Sequence, residues 1–221
     1  MVATSTLLRR PRPYIIPAGG SSSVGVLGYV NAAFELADQI DAGAVPQPQR
    51  IYLSLGSMGT TAGLAIGLAL AGIPAEIQAV RVVETRFGSM EKLSTLVDNT
   101  LRRLRGMNVS IPDIDAMKHI TIRQEFFGRQ YGEFTQSGVE AVDAAREAAD
   151  VRLDGTYSGK ALSALLSDAQ RGELADKNIL FWNTHNSRDV DALAQGVDYR
   201  SLPRAFHRYF EKDVQPLDPG A

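Results

Sequence analysis

A three-layer α/β domain built on a mainly parallel sheet is the fold this sequence predicts, and three observations predict it. Short apolar runs of strand length alternate with longer segments whose apolar residues recur at the helical period. Turn-forming clusters of glycine, proline, serine and aspartate separate those segments. The chain of 221 residues, 44% apolar and 22% charged, is long enough to bury one sizeable core.

The elements follow in order. "PYIIP" (13–17) reads as a short buried strand closed by proline, and "AGGSSSVGVLG" (18–28) as a Gly/Ser loop. From Leu27 to Ile40 the spacing of Val30, Ala33, Phe34, Ala37 and Ile40 predicts a helix that "DAG" ends. "RIYLSL" (50–55) is a strand, and Thr60 to Ala71 a helix in which Gly63 and Gly67 share one face suited to close packing on a sheet. "AEIQAVRVV" (75–83) is the next strand, and Ser89 to Arg105 the next helix, with Leu93, Leu96, Val97, Leu101 and Leu104 on one side. "HITIRQEFF" (119–127), an Ala-rich helix (139–149), a helix from Lys160 to Arg171, the buried strand "NILFWNT" (178–184) and an aromatic helix near "RAFHRYF" complete the series. A single domain over 13–210 is expected, with a flexible segment at 1–12 and a tail at 211–221.

Composition narrows the partners. Against 25 Asp+Glu the chain has 23 Lys+Arg, a net charge of −2, which offers nucleic acid or an anionic membrane little attraction. There is no apolar run of ~18 residues and no secretory h-region at the start. Zero cysteines remove disulfides, thiolate metal sites and cysteine nucleophiles, which suits a reducing cytoplasm. The three histidines show no HxxxH or HxH pair, so no metal site is expected. A small-molecule partner fits best.

The stretch "SLGSMGTTAGLAIGLALAG" (54–72) carries the most chemistry. A strand that ends in Gly-Ser-x-Gly-Thr and opens directly into a helix gathers unpaired N–H groups, hydroxyls and the positive end of a helix dipole at one point. That point attracts phosphate. It has neither the Gly-Lys-Ser/Thr ending of a nucleoside-triphosphate loop nor Gly-x-Gly-x-x-Gly, so a monophosphate is the better size. The same spacing also serves a tight strand-to-helix turn capped by Thr60, and on spacing alone both stay open.

Four ordered stretches, "PYIIPAGGSSSVGVLGYVNAA", "SLGSMGTTAGLAIGL", "GRQYGEFTQSGVEAV" and "LDGTYSGKALSALL", resemble the C-terminal large domain of the D-cysteine desulfhydrase and 1-aminocyclopropane-1-carboxylate deaminase family. These are fold type II enzymes that use pyridoxal 5′-phosphate. The likeness spans about residues 13 to 187. It implies that Ser57, Met58, Gly59, Thr60 and Thr61 cradle the cofactor phosphate, that Tyr157 and Tyr131 stand near the substrate, and that Ser158 and Thr184 neighbour the ring nitrogen. A serine at 158, where the ring-opening deaminases carry Glu, favours a neutral pyridine and elimination of a good β-leaving group. The bland roles are an N-cap for Ser158 and buried, hydroxyl-satisfied packing for the tyrosines.

The resemblance also shows two departures. None of Lys92, Lys118, Lys160, Lys177 and Lys212 stands in the family's setting for the lysine that attaches the cofactor and moves the α-proton, and the region that supplies it precedes the matched part. In "NTHNS" (183–187), His185 and Asn186 replace the family's glycines. The expected function is therefore β-elimination or deamination of a small amino acid, completed by a lysine-bearing N-terminal domain, a separate partner chain or a homo-oligomer. The alternatives are a catalytically inactive module that binds a phosphate ligand or serves assembly, and a self-sufficient enzyme acting on another phosphorylated small molecule.

Overall fold

The computed structural model describes residues 13–107, 110–186, 188, 193, 195–211, 215 and 217. Segment 1–12 and most of the tail 211–221 lie outside the described residues. After a 3-10 turn at Ala18–Gly20, the elements run α1 (Leu27–Asp41), β1 (Arg50–Leu55), α2 (Gly59–Leu70), β2 (Glu76–Arg81), α3 (Met90–Gly106), β3 (Ile120–Arg123), α4 (Gln136–Ala149), α5 (Ser158–Gln170) and β4 (Ile179–Phe181). Two 3-10 turns and the short α6 (Arg208–Glu211) follow. The aromatic helix expected near 204–210 is thus a 3-10 turn and one helical turn.

The sheet order is β3-β2-β1-β4, and every pairing is parallel. Ile51 of β1 stands opposite Ile77 of β2 on one side and Leu180 of β4 on the other. The period of two divides β1 between two layers. Ile51, Leu53 and Leu55 join Ile77 and Ala79 in a core closed by α1, α2 and α3. Tyr52 and Val80 point the other way, onto Ala161 and Ala164 of α5. Full burial of each large aliphatic chain in this core contributes about 1.5–3 kcal/mol. The crossovers through α2 and α3 carry the chain from β1 to β3 over one face. The return to β4 passes α5 on the opposite face, as right-handed crossovers require when the direction of travel reverses.

Local signals explain the ends of the helices. Gly72 adopts φ +70, its N–H bonds to Ala69 O and that of Ile73 to Leu68 O, a Schellman closure of α2. Ser89 caps α3 and Thr135 caps α4. The α1–α2 contact rests on absent side chains, because a Cβ on Gly63 would lie 2.4 Å from Tyr29 Cβ and one on Gly67 would lie 2.5 Å from Ala33 Cβ. The small face of α2 therefore meets a helix and not the sheet, contrary to the expectation.

Three further readings need correction. "PYIIP" forms no strand, and Tyr14, Ile15 and Ile16 are exposed. Phe34 faces outward from α1 while Val30, Ala33 and Leu36 are buried. β4 is three residues long and half-buried, an edge strand, so it needs less apolar cover than an interior one. Among the described residues, no helix is long and apolar enough to cross a membrane.

Candidate functional site

The connection from β1 leads to β2 on one side, while β4 lies on the other, so the strand order reverses around β1. A crevice at the carboxyl ends of strands flanking such a reversal is where open parallel sheets bind ligands. The loop Gly56–Met58 stands there, at the N-terminus of α2. Met58 takes the left-handed conformation (φ 72) as N-cap and supplies no side-chain capping bond. Thr60 is therefore not the cap. Among the described residues, the N–H groups of Ser57, Met58, Gly59, Thr60 and Thr61 meet no protein acceptor, and the first of this turn to do so is Ala62, bonded to Met58 O. The Thr61 hydroxyl is buried and lacks a partner as well. A run of unclaimed donors at a helix start is suited to an anion with several oxygens.

The Gly/Ser loop is part of this wall. Ser21 Oγ donates to Ser57 Oγ at 2.7 Å. Gly19, at φ +62, leaves no room for a side chain, because a Cβ there would come within 2.1 Å of the same Ser57 oxygen. Ser57 and Met58 line a cavity of about 780 Å³ together with Ser21, Gly56, Tyr131 and Tyr157. Gly59, Thr60 and Thr61 lie behind that wall in the first turn of α2.

Tyr157 and Tyr131 also line a second cavity of about 490 Å³, shared with Asp154, Thr184, His185 and Asn186. Their phenol oxygens are 2.6 Å apart and their rings meet edge to face at 6.1 Å. Burial, then the Tyr131 hydrogen bond, raises the Tyr157 phenol above its ordinary value, so this oxygen carries a proton at neutral pH. One phenol donates to the other, which leaves one O–H for a carboxylate or a proton in transit.

Asp154 is the group that sequence reasoning missed. Its carboxylate accepts from the amides of Thr156, Tyr157 and Ser158 and from Ser158 Oγ at 2.6 Å. Burial pushes this carboxyl up, but the Ser158 hydroxyl and the three amides outweigh it and hold the group below the usual carboxylate value. Asp154 thus anchors the start of α5, and Ser158, expected as cap or ring neighbour, is a buried hydroxyl committed to it. The available signal was an aspartate four residues before the serine in a Gly-containing turn. His185 Nδ1 lies 3.8 Å from the same Asp154 carboxylate.

The lysines fall in different places. Lys92 lines the larger cavity, and its amine donates to the Arg86 carbonyl. Lys160 is fully buried and its Nζ donates to Phe127 O at 2.7 Å, away from both cavities. Lys212 lies outside the described residues. Among the described residues, no group of three or more His, Asp or Glu is placed to hold a metal ion.

Comparison with known proteins decides the family. The profile described as "Pyridoxal-phosphate dependent enzyme" matches residues 1–185. The chain belongs to this family. It is 33% identical over 174 residues to a D-cysteine desulfhydrase of Klebsiella pneumoniae (strain 342), an alignment covering 78% of this chain and 50% of that one. It is 37% identical over 184 residues to the nocardicin C-9′ epimerase of Nocardia uniformis subsp. tsuyamanensis, covering 82% and 53%. The fold superposes on the crystal structure of an ACC deaminase homologue with a TM-score of 0.65 and 27% identity, over 81% of this chain and 51% of that one. The chain spans about half the length of the curated relatives it matches. The cofactor of the family is pyridoxal phosphate, and the α/β architecture with its parallel sheet is the one shared with the deaminase homologue.

Proposed function

We propose that this chain forms the phosphate and ring side of the active site of a pyridoxal-phosphate-dependent lyase, of the D-cysteine desulfhydrase type, acting on a small amino acid. One observation carries the reading: five consecutive amides and a buried hydroxyl at the start of α2 that have no partner among the described residues, beside a cavity that Tyr157 and Tyr131 also line. The donor set fits a phosphate monoester in number and kind. Residues 57–61 would hold the phosphate, and Thr184 and Ser158 would stand on the ring-nitrogen side. Bound pyridoxal phosphate supplies an electron sink for the charge left when an amino acid loses its α-proton.

The side chains present have defined tasks around that group. The paired phenols bind or protonate at the substrate end, since one donates to the other and the second O–H is unshared. Asp154 fixes the α5 N-terminus and with it the Tyr157 ring. Ser158 Oγ donates to the Asp154 carboxylate and accepts from the Asp154 N–H at 2.8 Å, which leaves one oxygen lone pair for a further neighbour. Relatives that include a D-cysteine desulfhydrase and a nocardicin C-9′ epimerase do not share one outcome, so the leaving-group assignment belongs to the proposal.

The test is binding of pyridoxal phosphate, and separately of inorganic phosphate, by calorimetry. The double variant Ser57→Ala/Thr60→Val should weaken both by tenfold or more, because a hydrogen bond to a charged group is worth about 1.5–3 kcal/mol. Unchanged affinity would remove the Ser57 and Thr60 hydroxyls from the cradle, and a parent chain that binds neither ligand would remove the assignment.

A second reading has its own support. Lys160 is sealed from the cavities and the Lys92 amine is engaged by a carbonyl, which fits a module that binds a phosphate ligand without chemistry. Borohydride treatment of the loaded chain separates the two: pyridoxal phosphate fixed to one lysine peptide speaks for catalysis within this chain, and its full removal by dialysis speaks for the binding module or for a lysine supplied by another domain.

A further inference from the structure

We propose that Lys160 is a positioning residue: by holding the carbonyl of Phe127 it clamps the loop 128–133 at its root, so that Tyr131 at the loop's tip stays bonded to Tyr157. This rests on the reading above only for its catalytic consequence.

Lys160 is a large, fully buried side chain, and among the described residues it has no carboxylate partner. Its ammonium meets one acceptor, Phe127 O at 2.7 Å, and lies 5.6 Å from the centre of the Phe127 ring. A buried ammonium with so few partners is unfavourable where methionine would fill the same space, so packing alone does not explain it. Its place does. Phe127 is the last residue before Gly128, and Gly128 and Gly132 adopt φ +83 and +81, conformations that bend the chain sharply on either side of Tyr131. The loop returns through Phe134, whose ring lies where a Cβ on Gly155 would be, at 2.8 Å.

Tyr157 precedes Lys160 by three residues, so one turn at the start of α5 grips both the root and the tip of the loop. Besides the phenol pair, the loop is tied by the Arg129–Glu133 ion pair and by Gln215, which donates to Gly132 O and accepts from the Phe134 N–H. Tyr131 is 51% exposed, and a single phenol pair at such a position leaves an open form populated. Burial lowers the Lys160 ammonium from its ordinary value, yet a neutral amine still donates to a carbonyl, so the clamp does not titrate away. The groups nearest in charge are Glu133 on the loop and Asp154 before α5.

The test needs no cofactor, so its outcome is independent of whether pyridoxal phosphate binds. Arg129, beside Gly128 near the loop root, is 87% exposed although paired with Glu133, and offers trypsin a reporter bond. In Lys160→Met, cleavage after Arg129 should quicken on the order of tenfold, because proteolysis tracks the open population. The same variant should lose one late-titrating phenol in an alkaline absorbance titration, Tyr157, while retaining Tyr52. Because the chain has no cysteine, Lys160→Cys can be alkylated to an aminoethyl side chain while unfolded and then refolded. This lysine analogue should restore both readouts. Cleavage no faster than in the parent chain, or no rescue by the aminoethyl form, would overturn the proposal. Tyr131→Phe, an exposed change that spares the core, keeps the question decidable where Lys160→Met does not fold. It must also quicken cleavage after Arg129, and an unchanged rate refutes the clamp.

Discussion

Thr61 and Asp154 show how single polar groups divide between stability and function at this site. The Thr61 hydroxyl is buried with no partner among the described residues, a state that costs about 1–3 kcal/mol. Thr61→Val keeps the shape and removes the orphan, so the ligand-free chain should melt at a higher temperature. If the hydroxyl belongs to the phosphate cradle, the same variant should bind inorganic phosphate more weakly, and an unaltered affinity would mean that only the amides take part. Asp154 gives the opposite result. Asp154→Ala removes the acceptor of three amides and the partner of Ser158 Oγ, so a loss of about 1–2 kcal/mol in urea unfolding is expected. Tyr157 stands inside that capped turn, and its phenol should then titrate at lower pH. A Tyr157 titration that ignores the variant would show that the cap does not hold the ring.

At the scale of elements, the contact between α1 and α2 makes a sharp prediction. Alanine in place of Gly63 favours the helix by about 1 kcal/mol, but its Cβ would lie 2.7 Å from the Val26 carbonyl oxygen as well as against Tyr29 Cβ. Backbone on the facing helix cannot yield as a side-chain tip can, so steric loss dominates and Gly63→Ala should destabilise by roughly 1–3 kcal/mol. Denaturant midpoints check this, and a more stable variant would show that the two helices can part. The same contact marks where sequence reading stops. Periodicity located α1, α2 and α3 and put Gly63 and Gly67 on one face, since spacing determines which residues share a side. It could not say that this face meets a helix, because the identity of a neighbour is a tertiary fact. "PYIIP" shows the same limit, as β-branched residues suit a strand but require a partner edge that no local pattern reveals. The turn at 56–59 was legible as a strand-to-helix connection because its glycines are a local signal, whereas the Lys160 contact with Phe127 joins positions that only folding brings together.

For the whole molecule, the distribution of buried charge sets the pH range of stability. Asp168 of α5 has no exposed side-chain surface and accepts from Arg123 at 2.8 and 3.0 Å, while Tyr52 and Arg171 also donate to it. It ties α5 to β1 and β3 beneath the sheet. Burial raises its carboxyl, but hydrogen bonds from Arg123 and Tyr52 prevail and leave it below 3.8. The folded chain then binds fewer protons than the unfolded chain between the two values, so this contribution is complete above about pH 4 and is lost as pH falls through the folded value. Tyr52 acts at the other end. Burial and its bond to Asp168 raise it from 10.0 to about 12, so its contribution is complete below pH 10 and declines as pH climbs toward 12. Lys160, lowered from 10.5 by burial, runs against Tyr52, because the charged form it disfavours disappears as pH rises through its folded value. Urea midpoints from about pH 2 to 11 should therefore form a plateau with a steep acid limb and a shallower alkaline one. Asp168→Asn should lower the plateau by about 3–5 kcal/mol, since it strands buried guanidinium donors, and should flatten the acid limb. An acid limb as steep as in the parent chain would assign that loss to other carboxylates and separate Asp168 from the acid stability of the fold.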